Sequence, residues 1–371
     1  MKYLFVNSVA GFGSTGRIVA EKCRELMAQG HECLIGYGRD KVNCDDIPTL
    51  CIGSPFDYRV HGVMSRVFDN HGFGSKTATK RFLEQVKLYD PDVIWLHNLH
   101  GYYINVELLF NYLRTCGKKI FWTLHDCWSF TGHCSYFDFI GCDRWKTGCL
   151  ECPQKNEYPA SLFLDNSQKN FAEKKRLFSG IPDLTIVTVS HWLEKRVKQS
   201  FLGDYPVDVV YNTVNTDVFK PTQSDFREKF QLDDKKLILG VASVWEKRKG
   251  LDDFIALSKM LDTAYQIVLV GLSAEQSADL PANILSLPRT NSVAELAEIY
   301  SAADVYLCPS VEETFGMTVL EAVCCGTPAI VYTDTACEEV VQQYGGIAVP
   351  RGVENLYRAI IDTFSQSITE E

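Results

Sequence analysis

Apolar residues in this chain fall into short continuous blocks separated by longer stretches in which they recur every three or four positions. The first block, residues 2–8, ends in a glycine-rich turn at Gly11–Gly16, and Ile18, Val19, Cys23, Leu26 and Met27 then fall on one helical face. Gly30 stops that helix before a second block at 33–37. Further strands are expected at 93–97, 119–124 and 184–189, with helices at 75–89, 104–116 and 190–202. Residues 127–159 break the rhythm, being rich in Cys, Gly and aromatics, and are expected to form a long ordered insertion. The alternation restarts at 207–211 and continues at 237–242, 266–270, 305–309 and 329–332, ending in a helical pattern at 353–364. Two such series predict an α/β protein of two doubly wound, Rossmann-like domains, 1–205 and 206–371, facing a central cleft.

Length agrees with two domains, since 371 residues exceed one ordinary core. With 46% hydrophobic and 23% charged residues the chain is globular, and no apolar run approaches the roughly 18 residues of a membrane span. Glycines and Asn7 interrupt the N-terminal apolar run too early for a signal peptide, so a cytoplasmic location is expected. Fourteen cysteines then read as thiols or metal ligands rather than disulfides. The net charge of −10 is uneven: residues 1–205 carry 25 basic and 22 acidic side chains, residues 206–371 carry 12 and 25, and all eight histidines lie in the first part. That balance excludes a nucleic-acid partner. It permits weak attachment of the first domain to an anionic membrane surface through Lys174-Lys175-Arg176 and Lys195-Arg196-Lys198, or reflects sampling and solvated faces alone.

Gly11, Gly13 and Gly16 spell G-x-G-x-x-G after a strand, a pattern that seats a dinucleotide pyrophosphate on a helix N-terminus. A nicotinamide-dependent oxidoreductase also needs an acidic residue after the second strand, and Asp40 comes late for it. A glycine turn facing a ligand in another α/β enzyme, or a plain tight turn, fits the same residues.

The densest chemistry lies at 310–328. A strand delivers the chain to a turn, a helix is expected to start near Phe315, and the N–H groups of Phe315, Gly316, Met317 and Thr318 would offer a diphosphate seat. Glu313 precedes that helix end and Glu321 follows it. Eight residues of helix would rise about 12 Å, beyond the roughly 5 to 9.5 Å separating paired glycosidase carboxylates. The spacing suits two ends of one extended ligand, although two solvated helix glutamates would look alike.

The stretch E-T-F-G-M-T-V-L-E-A, followed by C-G-T-P-A-I, resembles the E-x7-E signature of retaining glycosyltransferases of family 4, which have the GT-B fold. Residues 210–221, 240–250 and 296–310 resemble further donor-domain segments, and Thr123-Leu124-His125-Asp126 resembles the acceptor-domain histidine motif. The resemblance implies an enzyme that moves a sugar from a nucleoside diphosphate, UDP or GDP, to a glycan acceptor with retained configuration. The H-D-x-W-x-x-T-G-H-C pattern resembles the branch that builds capsular and exopolysaccharide repeat units on lipid carriers. It assigns Glu313, His125 and Lys249 to catalysis, and Glu321, Phe315, Gly316, Met317, Thr318, Gly13 and Ser14 to the donor. No cofactor is implied for the chemistry, and Asp90-Pro91-Asp92 reads as strand entry rather than a metal-binding D-x-D. A non-catalytic nucleotide- or carbohydrate-binding protein is the rival reading. Three departures bear on these roles, the mildest being Thr213 after Asn212 where the family has glycine. Ser243 or Val244 stands where the family has a phosphate-binding arginine, a loss that Lys247 or Arg248 could offset, and the usual C-terminal tail is shortened or absent after Ser365.

Cys134, Cys142, Cys149 and Cys152 are separated by seven, six and two residues, with His133 beside the first. A terminal C-x-x-C is a common half of a tetrahedral zinc site. A structural zinc, packed free thiols and disulfides are the three readings of this segment.

Overall fold

The computed structural model of the chain describes residues 1–366. It divides into two compact units, Met1–Tyr211 and the chain from Asn212 onward.

The first unit runs β1 (Lys2–Asn7), α1 (Gly13–Ala28), β2 (Glu32–Tyr37), β3 (Thr49–Cys51), α2 (Pro55–Phe68), α3 (Lys76–Tyr89), β4 (Val93–Leu96), α4 (Val106–Leu113), β5 (Lys119–Leu124), α5 (Ser167–Phe178), β6 (Leu184–Thr188), α6 (His191–Gln199) and β7 (Val207–Val209). Its strands form one sheet in the order β3-β2-β1-β4-β5-β6-β7, and every pairing is parallel. Helices cover a parallel sheet on both faces, which is why β1 is buried at five of its six residues. Phe5, Val19, Cys23 and Ile35 pack between β1, β2 and α1.

The second unit runs α7 (Phe226–Phe230), β8 (Lys236–Val241), α8 (Leu251–Ser258), β9 (Tyr265–Val270), α9 (Ala274–Ala278), β10 (Ile284–Leu287), α10 (Val293–Ala302), β11 (Val305–Cys308), α11 (Met317–Cys324), β12 (Ala329–Tyr332), α12 (Ala336–Tyr344), β13 (Ile347–Val349) and α13 (Val353–Gln366). The order β10-β9-β8-β11-β12-β13 is again all parallel. Ile238, Phe254, Leu269, Leu307 and Ile360 are core residues here. The reading about a tail beyond Ser365 concerns residues 367–371, outside the described residues.

Several expectations need correction. The boundary at 205/206 moves to 211/212, because Val207–Val209 does not open the second unit but pairs with β6, Ile186 opposite Val207. The insertion extends to residue 166: between Leu124 and Ser167 the backbone forms only three short 3-10 turns. Lys174 leaves the proposed basic surface cluster. Its side chain is buried, its ammonium donates to the Trp128 and Thr131 carbonyls at 2.8 and 3.1 Å, and it lies over the Trp128 ring. Burial pushes its pKa down to about 7.

The α2 helix is inside out. His61 and Ser65 are its buried residues, whereas Phe56, Val60, Val63, Met64 and Phe68 are exposed, Phe56 by 73%. Leu162 donates its N–H to the Arg66 carbonyl at 2.7 Å, so the exposed Leu162, Phe163 and Leu164 adjoin the end of this face.

Candidate functional site

In an open parallel sheet, ligands bind beyond the carboxyl ends of the strands, where the strand order reverses. In the second unit that point lies between β8 and β11. The loop after β8 ends in a 3-10 turn, Lys247–Lys249, and then Gly250 at φ 76°. A Cβ on Gly250 would stand 2.4 Å from the Pro309 carbonyl oxygen, so only glycine lets this loop lie against the end of β11.

The close approach brings Lys249 to Glu313. The Lys249 ammonium pairs with Glu313 Oε1, which also accepts from Ser310 Oγ at 2.8 Å and stands 3.5 Å from Arg248 Nη1. Burial works against the Glu313 charge, but Lys249 and Arg248 more than offset it and hold the carboxyl below its usual range. Arg248 also donates to the Glu312 carbonyl at 2.9 Å and pairs with Glu246 at 3.0 Å. Its guanidinium is thus committed inside the protein, whereas Lys247 is exposed.

The helix that follows starts later than expected. Gly316 adopts φ 95°, a Cβ there would meet Cys337 Sγ at 2.6 Å, and α11 begins only at Met317. Phe315 therefore precedes the helix, and its side chain is buried. Met317 and Thr318 open the first turn, ahead of the i→i−4 ladder that satisfies later N–H groups. Only Met317–Glu321 of the span from Glu313 to Glu321 is helical, so the helix rise alone does not set the separation of the two carboxylates. Glu321 is 4% exposed and accepts a 3.0 Å hydrogen bond from the Tyr300 hydroxyl. Tyr300 lay within a recognised motif run, yet nothing in the letters tied it to Glu321.

In the first unit the order reverses between β1 and β4. His97, just past β4, and His125, just past β5, meet there, Nδ1 to Nε2 at 2.9 Å, with rings stacked 5.2 Å apart. Burial pushes His125 down to about 4, so it is neutral at physiological pH. Beside it is a group the sequence did not reveal. His100 Nε2 contacts Asp126 Oδ2 at 2.7 Å, His100 Nδ1 contacts the Tyr158 hydroxyl at 3.1 Å, and Asp126 Oδ1 accepts the Trp128 N–H at 2.9 Å. Asp126 stood in the quoted histidine motif; His100 and Tyr158 carried no signal beyond the histidine bias and the aromatic insertion.

Gly13 and Ser14 are exposed at the start of α1. Gly11 closes the turn before them by donating its N–H to the Gly16 carbonyl at 3.2 Å. Asp90 and Asp92 sit at the opposite, amino-terminal edge of the sheet, bound to Lys118 Nζ at 2.6 Å and to the Lys2 N–H at 2.8 Å.

Residues 222–371 match the family model described as glycosyl transferases group 1. Over 192 residues the chain is 29% identical to WcaC of Escherichia coli K12, named as a colanic acid biosynthesis glycosyl transferase, covering 48% of this chain and 45% of that protein. It is 25% identical to the O-antigen chain mannosyltransferase RfbU of Salmonella typhimurium, covering 49% and 51%. The chain thus spans about half the length of these curated relatives. Among solved structures it resembles sucrose-phosphate synthase from Thermosynechococcus elongatus, with a TM-score of 0.72 at 17% identity over 98% of this chain and 90% of the other. Anabaena HepE in complex with UDP-glucose gives 0.68 at 14%, over 99% and 90%. At such identities the likeness shows the fold, two parallel-sheet α/β domains of the GT-B kind.

Proposed function

We propose, from the match of residues 222–371 to the family model described as glycosyl transferases group 1, that the chain transfers a sugar from a nucleoside diphosphate, UDP or GDP, to a glycan acceptor in surface-polysaccharide synthesis. The observation that carries this reading is the pairing of Glu313 with Lys249 at the second unit's switch point, with Glu321 one helical turn into α11. The first turn of α11 seats the diphosphate, Glu321 accepts from the ribose, and Glu313 accepts from sugar hydroxyls while orienting Lys249. Configuration is retained by same-face attack. The acceptor oxygen bonds to the anomeric carbon as the bond to the diphosphate breaks, its electron pair leaves with the diphosphate, and the acceptor proton passes to that leaving phosphate. Catalysis is then charge stabilisation by Lys249 and the helix end, together with positioning. This chemistry requires no metal or other cofactor.

On the acceptor side, Tyr158, His100 and Asp126 form a chain of polar contacts suited to holding a sugar hydroxyl, with neutral His125 beside them. The glycine loop with Gly13 and Ser14 serves the sugar nucleotide rather than a nicotinamide. We place the acceptor on a lipid carrier and the protein at the cytoplasmic membrane face. The support is α2, whose outward apolar stripe is flanked by the exposed Arg59 and Arg66, the make-up of a helix lying in a lipid interface.

A thermal-shift panel of UDP, GDP, ADP and CMP sugars tests the reading, because a ligand that binds only the folded form raises its melting temperature. One nucleotide series should stabilise the protein and release its nucleoside diphosphate when acceptor extract is added. Stabilisation by none of them, with NADH binding instead, would refute it.

A further inference from the structure

The insertion between β5 and α5 is built without regular structure, and its interior is unusual. Phe130, Phe137 and Trp145 pack together, with ring centroids 4.7 to 6.2 Å apart. Against Phe137 and Trp145 lies one small cavity, and Cys134, Cys142, Cys149 and Cys152 all line it. Four thiols from a 19-residue stretch thus face the same space, although none is adjacent to another in sequence. Cys134 and Cys149 are buried, and all four are free thiols.

The backbone has folded back on itself to achieve this. Gly132 donates its N–H to Cys149 Sγ at 3.2 Å, and a Cβ on Gly132 would meet the Ser167 carbonyl oxygen at 2.1 Å. Cys152 donates its N–H to Asp165 Oδ2 at 2.6 Å, and Arg144 donates to the Leu150 and Glu151 carbonyls, closing the loop that carries Cys149 and Cys152. An N–H donor to a cysteine sulfur stabilises a thiolate, the form in which cysteine binds metal. The residues of a C-x-x-C pair can share one ion from a single turn, and two more thiols complete a tetrahedron.

As the side chains stand, no three His, Cys, Asp or Glu among the described residues form a ready ligand group. We propose that the four cysteines close on one structural zinc ion in the cavity that they line. Thiolates alone select a soft or borderline metal, and zinc needs no redox partner and prefers the four-coordinate geometry four thiols supply. Each ligand gives up its proton to solvent as the ion binds, so zinc should be lost in acid.

The ion would order more than the loop itself. Asp126 stands at the start of this insertion and Tyr158 near its end, and both touch His100. A metal clip between them would fix the spacing of that trio. The site is independent of the proposed reaction: it would hold zinc even if the chain transferred no sugar.

The full chain, purified without added metal or chelator, should contain about one zinc per molecule by elemental analysis. A thiol-reactive mercurial should release it, and replacing it with cobalt(II) should give the visible absorption of a tetrahedral tetrathiolate. C149S/C152S should lose the zinc and unfold at lower temperature. If that variant does not fold, zinc content and mercurial release of the parent chain decide alone. Metal-free folded protein in which all four cysteines label with iodoacetamide would overturn the proposal. So would a disulfide among them in peptide mapping, iron in place of zinc, or zinc that survives C149S/C152S.

Discussion

Replacing Glu321 by Gln isolates one side of the proposed donor site. Glu321 is 4% exposed, and the Tyr300 hydroxyl donates to its Oε2 at 3.0 Å. Glutamine keeps the shape and an acceptor oxygen for Tyr300, so folding stability should change little. It removes the negative charge, and with it the strength of a charged hydrogen bond to a ribose hydroxyl. Such a bond contributes about 1.5 to 3 kcal/mol, so affinity for the nucleoside diphosphate should fall about 10- to 150-fold. Tyr300→Phe is the converse. It leaves Glu321 charged and buried without the phenol's donor, a cost of about 1 to 3 kcal/mol borne chiefly by the fold. Calorimetric titration with the nucleoside diphosphate that stabilises the parent protein measures the first effect, and urea unfolding the second. Parent affinity in Glu321→Gln, or a variant whose entire loss is one of stability, would refute the assignment of Glu321 to the donor.

Glu313→Gln should instead lower turnover, by about 100-fold if Glu313 fixes Lys249 at the leaving group, with a smaller change in donor affinity; steady-state rates with varied donor separate the two. Asp126→Asn should impair transfer to an acceptor more than hydrolysis of the sugar nucleotide, read as product formed against diphosphate released. Burial lowers the folded pKa of His61 and of His125 to about 4, from 6.5. The unfolded chain therefore binds more protons between those values, and stability should decline as pH falls from about 6.5 to 4; urea midpoints across that range should flatten in His125→Phe. Finally, Phe56→Ser with Val63→Ser should reduce co-sedimentation with anionic liposomes without changing donor binding, whereas equal binding by parent and variant would remove α2 from the interface.

Much of this architecture is legible because parallel strands buried on both faces must be written as continuous apolar runs. The expected strand at 119–124 is β5 to the residue, and that at 329–332 is β12. The boundary is misplaced for the same reason, since a short apolar run does not say which sheet it will join. Glycines carry information that letters alone do not resolve: Gly316 delays α11 through its left-handed φ, and Gly250 delivers Lys249 to Glu313 through its close approach to Pro309. The α2 helix goes unexpected although its apolar stripe is regular. Periodicity finds an amphipathic face and is silent on whether that face points inward.

Two of the histidines before residue 205, His100 and His133, help to hold the segment between β5 and α5. The segment between β5 and α5 has almost no ladder of backbone hydrogen bonds to hold it, and buried polar side chains from its neighbours supply them instead. His133 pairs with Asp69 at 2.5 Å, while Asn166 and Asn170 donate to Asp69 at 2.8 and 2.6 Å. Lys174 holds the Trp128 and Thr131 carbonyls, and His71 accepts the Gly101 N–H at 3.0 Å beside His100. A buried charge such as Lys174 is costly unless its partners are fixed, so this network tolerates little movement. Breaking any member should therefore reach His100 and Asp126 through the insertion, and Lys174→Met ought to weaken use of the proposed acceptor. Histidine suits these positions because it offers a donor and an acceptor while neutral. The burial that makes the histidines structural also keeps His125 uncharged at the sheet's carboxyl edge.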